Sequence, residues 1–174
     1  MPVQRLNHAV LYVRDVDRSV AFYRSVLGFR TVAEMPGRAA FLQAQGSTND
    51  HDLALFALGA GAGDSGAGRT TVGLYHLAWE VDTLDELARF GRELQAAGAL
   101  VGASDHGSTK ALYAKDPDGL EFEVSWLVPA DLLDEESRRM KTAPLDLEAE
   151  IARYGGTTRG GVGVSVPAAS SPAG

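Results

Sequence analysis

The chain contains four histidines and no cysteine, and that combination narrows its chemistry at once. Without thiols there is no disulfide, Fe–S cluster, thiolate zinc site or cysteine nucleophile. Any metal must be held by imidazole, carboxylate or backbone oxygen. His8 and His76 lie in matching contexts, LNHAVLYV and LYHLAWEV. In strand alternation His8 shares a face with Val10 and Tyr12, and His76 with Ala78 and Glu80. Further along, LEFEVSWL sets Phe122, Val124 and Trp126 on one face and Glu121, Glu123 and Ser125 on the other. Carboxylates in such an apolar strand are normally paired or coordinating. Two imidazoles and one carboxylate converging on a cavity form a facial triad. That set leaves coordination positions open and suits non-haem Fe(II), with Mn(II) next. On this reading His8 and His76 are ligands, and either Glu121 or Glu123 is the third.

The elements that must position these residues follow from an internal repeat. Shifting the sequence by 68 superposes Leu6, His8, Val13, Asp17, Phe22 and Arg24 on Leu74, His76, Val81, Asp85, Phe90 and Arg92. Each copy reads as a strand, an Asp-rich turn and an amphipathic helix. Asp17 and Asp85 are placed to cap the helix starts, and Gly28 and Gly98 to end them. Shorter strands are expected at Arg30–Glu34, Ala39–Gln43 and Asp52–Leu58, then at Leu100–Ala103, Ala111–Lys115 and Leu120–Leu127. Asp116-Pro117-Asp118-Gly119 makes the turn before the last strand. The fold class is therefore α+β, two tandem βαβββ modules spanning 4–58 and 70–128 within one domain, 4–128. A Gly-rich linker, Gly59–Arg69, joins them. Its G-x-G-x-x-G is not a nucleotide loop, because a strand and not a helix follows. Two C-terminal helices are expected at Pro129–Lys141 and Pro144–Tyr154, the helical extension 129–154. A disordered tail is expected over 155–174.

Composition bounds the partners. Lys plus Arg number 16 and Asp plus Glu 23, giving a net charge of −7 over 174 residues. Polyphosphates and anionic membranes need a basic face, so neither is an expected partner. No apolar run approaches the ~20 residues that span a bilayer. The opening residues run straight into strand alternation, unlike a signal peptide, and a cytoplasmic location is expected.

The repeated modules, the opening LNHAVLYVRDVDRSVAFYRSVLGF and the closing DPDGLEFEV resemble the vicinal oxygen chelate superfamily. That superfamily includes glyoxalases, fosfomycin-resistance enzymes, bleomycin-binding proteins and extradiol dioxygenases. The resemblance implies one open-barrel domain in which the Glu closing D-P-D-G-x-x-x-E is a metal ligand. Here that is Glu123, beside His8 and His76. The segment NDHDLALF is similar to the H-x-L-A segment of one-domain type I extradiol (catechol 2,3-) dioxygenases, which implies that His51 is an acid/base. His106 and Tyr113 likewise match residues that those enzymes place around the substrate oxygens, so they are read as both catalytic and substrate-binding. The implied activity is Fe(II)-dependent ring cleavage, with a catecholic substrate and O2 as partners and pairing into homo-oligomers.

Each residue also has a plainer reading. His51 reads as a turn residue bonded to Asp50 or Asp52, His106 as a solvated loop residue and Tyr113 as a strand aromatic. Two other functions compete. One is a glyoxalase- or fosfomycin-type thiol transferase or isomerase, which would not consume O2. The other is a non-enzymatic ligand-binding module, which would hold no metal.

Overall fold

The computed structural model describes residues 2–3, 5–67, 70–139 and 141–161. The chain divides into two units, one comprising Met1–Gly73 with Asp116–Leu120, the other Leu74–Lys115 with Glu121–Gly174. The first holds β1 (Ala9–Val13), α1 (Val16–Ser25), β2 (Arg30–Met35), β3 (Ala39–Gln43) and β4 (Leu53–Ala57). The second holds β5 (Leu77–Glu80), α2 (Leu84–Ala96), β6 (Leu100–Asp105), β7 (Thr109–Lys115), β8 (Glu121–Leu127), the two-residue β9 (Ala143–Pro144) and α3 (Leu147–Tyr154).

Each unit has one mixed sheet that does not close on itself. The strand orders are β1-β4-β3-β2 and β5-β8-β7-β6-β9. In both, the first strand of the module runs parallel to the last, and the remaining pairs within the module are antiparallel. The βαβββ repeat is thus real, and the shift of 68 carries the starts of β1 and α1 onto those of β5 and α2.

The helices cover one face of each sheet. In α1, Val16, Val20 and Tyr23 are buried, a spacing of four then three that forms a helical stripe. In α2 the buried stripe is Leu84, Leu87, Phe90 and Leu94, and Phe122, Val124 and Trp126 of β8 are buried in the same unit. The N-caps differ from expectation. Asp15 accepts from the Arg18 amide at 3.0 Å and Thr83 from the Glu86 amide at 3.2 Å. Asp17 and Asp85 stand in the first turn, where an acid still suits the helix dipole.

The turn at Asp116–Leu120 belongs to the first unit. Buried Asp116 accepts from the Asp118 and Leu120 amides, each at 2.9 Å, and from the Tyr23 hydroxyl at 3.2 Å. Asp118 accepts from the Arg14 guanidinium at 3.0 Å, and Arg18 donates to the Pro117 carbonyl.

The C-terminal extension departs from the expected pair of helices. Only α3 forms, while 129–139 are a run of turns. Asp134 accepts from the Ser137 amide at 2.8 Å and from its hydroxyl at 2.7 Å, capping a single turn that does not continue as a helix. Residues 155–161, expected as tail, bond to the rest of the second unit through Gly156 O with Asp85 N and Gly160 N with Asp82 O. A side chain at Gly160 would run into Trp126 and the Leu127 carbonyl, so this path needs glycine. The remainder of the expected tail, 162–174, lies outside the described residues.

Candidate active site

The second unit gathers four of the sequence-predicted residues. His76 lies just before β5 and Glu123 sits in β8, the strand paired with it. His76 Nε2 is 3.5 Å from Glu123 Oε2. Tyr113, in β7, is directly opposite Glu123 in the antiparallel ladder, and its ring centroid is 5.8 Å from that of His76. Its hydroxyl is 2.9 Å from His106 Nε2. Burial first, then the Glu123 charge, pushes the Tyr113 hydroxyl up to about 12, so it keeps its proton at neutral pH. Glu121 lies opposite Lys115 at the start of the strand, two residues from Glu123.

The first unit gathers the other two. His8 precedes β1 and is exposed, and its Nδ1 donates to Asn7 Oδ1 at 2.7 Å, which leaves Nε2 as a free lone pair. His51 packs against it with ring centroids 4.5 Å apart and planes tilted by 40°, and meets Phe41 edge-on at 5.2 Å. The Nδ1 of His51 is 3.1 Å from Asp50, so the turn partner expected of it is present while Nε2 stays available. Asn49 organises this loop, since its amide donates to the Asn7 carbonyl at 2.8 Å and to Asp52 at 2.7 Å.

Among the described residues no group of three or more His, Asp or Glu is drawn into a metal-sized cluster. The ligand types occur as a pair in the second unit and one imidazole in the first. The pair itself fits a metal. Two donors 3.5 Å apart can share one ion about 2.1 Å from each. The other ring nitrogen of His76, Nδ1, is buried without a hydrogen-bond partner, so it does not orient the ring.

Sequence reasoning missed a buried charge cluster beside His106. Lys110 is fully buried, 2.6 Å from Asp105 and 3.0 Å from Glu150, and Asp105 also meets Lys141 at 2.7 Å. Lys110 has the same strand parity as Leu112 and Ala114, a core position, and that was its signal. Trp126 is fully buried opposite it in the ladder.

The profile of the Glyoxalase/Bleomycin resistance protein/Dioxygenase superfamily matches residues 5–124. The chain belongs to that superfamily. Among relatives in it, catechol-2,3-dioxygenase of Bacillus subtilis (strain 168) is 32% identical over 126 residues, 68% of this chain and 40% of that protein. The chain thus spans about two fifths of the length of the first curated relatives it matches. A glyoxylase/bleomycin resistance protein/dioxygenase domain from Frankia sp. EAN1pec superposes with a TM-score of 0.61 at 23% identity, covering 71% of this chain and 92% of that one. A point mutant of a genomically encoded fosfomycin resistance protein from Listeria monocytogenes, complexed with Mn(II), gives 0.54 at 18% identity, covering 71% and 90%. These superpositions show the superfamily fold. No helix among the described residues is long and apolar enough to cross a membrane.

Proposed function

We propose that the chain is an extradiol dioxygenase that opens a catechol-type ring with O2, using Fe(II), or Mn(II) in its place, held by His8, His76 and Glu123. The observation that carries this reading is the His76–Glu123 pair beside the hydrogen-bonded Tyr113 and His106. When bound, the metal would supply Lewis acidity toward the substrate hydroxyls and the redox partner for O2.

The protein groups then have distinct work. His51, with Nδ1 on Asp50, presents Nε2 to take a proton from a substrate hydroxyl and return it later. Tyr113 and His106 engage the substrate oxygens as one hydrogen-bonded pair. Phe41 packs against His51 and Tyr75 against His76, with ring centroids 5.2 and 4.7 Å apart. A net charge of −7 offers polyanionic substrates no long-range attraction. A cytoplasmic setting and a homo-oligomer complete the proposal.

The test is oxygen consumption by protein purified anaerobically, loaded with Fe(II) and given a panel of catechols. Catechol-dependent O2 uptake with a yellow ring-cleavage product supports the reading. Bound metal without O2 uptake on any catechol refutes it and favours a thiol transferase or isomerase. Two variants separate the roles: Glu123→Gln should lose iron, whereas His51→Phe should keep iron and turn over at least ~100-fold more slowly. Normal turnover by His51→Phe removes it from the mechanism.

A further inference from the structure

We propose that the C-terminal segment is a positioning element for the site: the backbone carbonyl of Lys141 holds His106 in its Nδ1–H tautomer, which makes Nε2 the acceptor for the Tyr113 hydroxyl. The catalytic consequence rests on the reading of Tyr113 and His106 given above, while the hydrogen-bond assignment stands without it.

The assignment follows from donor and acceptor chemistry. His106 Nδ1 lies 3.1 Å from the Lys141 carbonyl oxygen, which can only accept. The hydrogen is therefore on Nδ1, because the other tautomer would set a nitrogen lone pair against an oxygen lone pair. Thr142 Oγ1, at 3.4 Å on the same nitrogen, is a weaker contact that tolerates either form. Neutral His106 then has its lone pair on Nε2, 2.9 Å from the Tyr113 oxygen. The Tyr113 hydroxyl, which also faces the Glu123 carboxylate, then has Nε2 as its acceptor on the His106 side.

The carbonyl can impose this only if its segment is fixed, and the buried cluster fixes it. The Lys141 ammonium is 2.7 Å from Asp105, the residue before His106. Asp105 also takes the Lys110 ammonium at 2.6 Å and the Gly107 amide at 2.8 Å, so the residues on both sides of His106 are tied to one carboxylate. Lys110 in turn reaches Glu150 of α3 at 3.0 Å and lies 5.7 Å from the Tyr154 ring. The β9 strand pairs Ala143 with Asp105 and Pro144 with Ser104. A lysine buried on the core side of β7 has no role in sheet packing. It makes sense as the post that holds the extension.

The test is the imidazole 15N spectrum of histidine-labelled protein, with His106 assigned by its loss in His106→Gln. The wild type should show His106 as Nδ1–H. Tyr113→Phe should leave that tautomer unchanged, because Lys141 sets it. Lys141→Met, at a partly exposed site that the fold tolerates, should give averaged Nδ1 and Nε2 signals, and Lys141→Arg should restore the single form. In the same Met variant catechol turnover should fall about tenfold with KM changed less than about twofold, as expected for lost positioning. An Nε2–H tautomer in the wild type overturns the proposal. So does a tautomer that switches in Tyr113→Phe but not in Lys141→Met. The spectrum needs no ring cleavage, so an inactive wild type would defeat the functional reading alone.

Discussion

Asp105 accepts from two ammonium groups and an amide within 2.8 Å, and its titration should be felt in the stability of the fold. Burial pushes its carboxyl up, but the Lys110, Lys141 and Gly107 bonds outweigh that and bring it down to about 2. An unfolded carboxyl titrates at about 3.9, so the folded value is depressed. The resulting stability is complete above about pH 4 and is lost as pH falls toward 2, roughly 2 kcal/mol in all. Denaturant unfolding between pH 2 and 6 should show this loss in the wild type and not in Asp105→Asn. Parallel curves would dismiss the assignment. The same variant should lose about 3 kcal/mol or more at pH 7, since it weakens the pairing of a buried lysine. The sequence reveals one half of this cluster only. Strand parity separates Glu123 from Phe122 and Val124, and it also puts Lys110 on the core face. The partner Glu150 is forty residues away on a helix whose docking no local pattern encodes.

At the scale of elements, the strands and helices that repeat were the legible ones. Ala39–Gln43 matches its expected bounds, and Gly28 and Gly98 end their helices with φ of +71° and +65°. The extension was not legible: helical periodicity alone promised a helix over 129–139, where the chain instead forms turns, one of them capped by Asp134. What shapes it is a close approach that composition does not show. Gly107 has φ +82°, and a Cβ there would lie 2.6 Å from the Ser137 carbonyl oxygen and 2.8 Å from that of Arg139. Gly37, at φ +64°, has nothing within 4 Å of the same point. Gly37→Ala should therefore cost only the left-handed backbone penalty, about 1–2 kcal/mol. Gly107→Ala should cost more than that and expose 129–139 to protease, because two backbone carbonyls must move. Equal costs in denaturant unfolding, with equal protease resistance, would show that the extension does not press on the His106 loop.

Across the whole molecule, duplication supplies the scaffold twice and the chemistry once. The shift of 68 makes Val10 and Ala78 equivalent, and their strand partners are Ala54 and Glu123. Next along each ladder, Ala54 faces Phe41 where Glu123 faces Tyr113. The first unit thus repeats the histidine but has an alanine for the carboxylate and a phenyl ring for the phenol. The proposed ligands therefore number two imidazoles and one carboxylate, enough for one facial set. Protein reconstituted with Fe(II) and freed of loose ions should hold one iron per chain by elemental analysis. On the proposed ligand set, His8→Ala and His76→Ala should each weaken binding by at least ~10-fold, with Glu123→Gln behaving alike. Two ions per chain would mean that each unit binds metal by itself. One ion that survives loss of His8 would confine the centre to His76 and Glu123, and the first copy would then contribute His51 without a ligand.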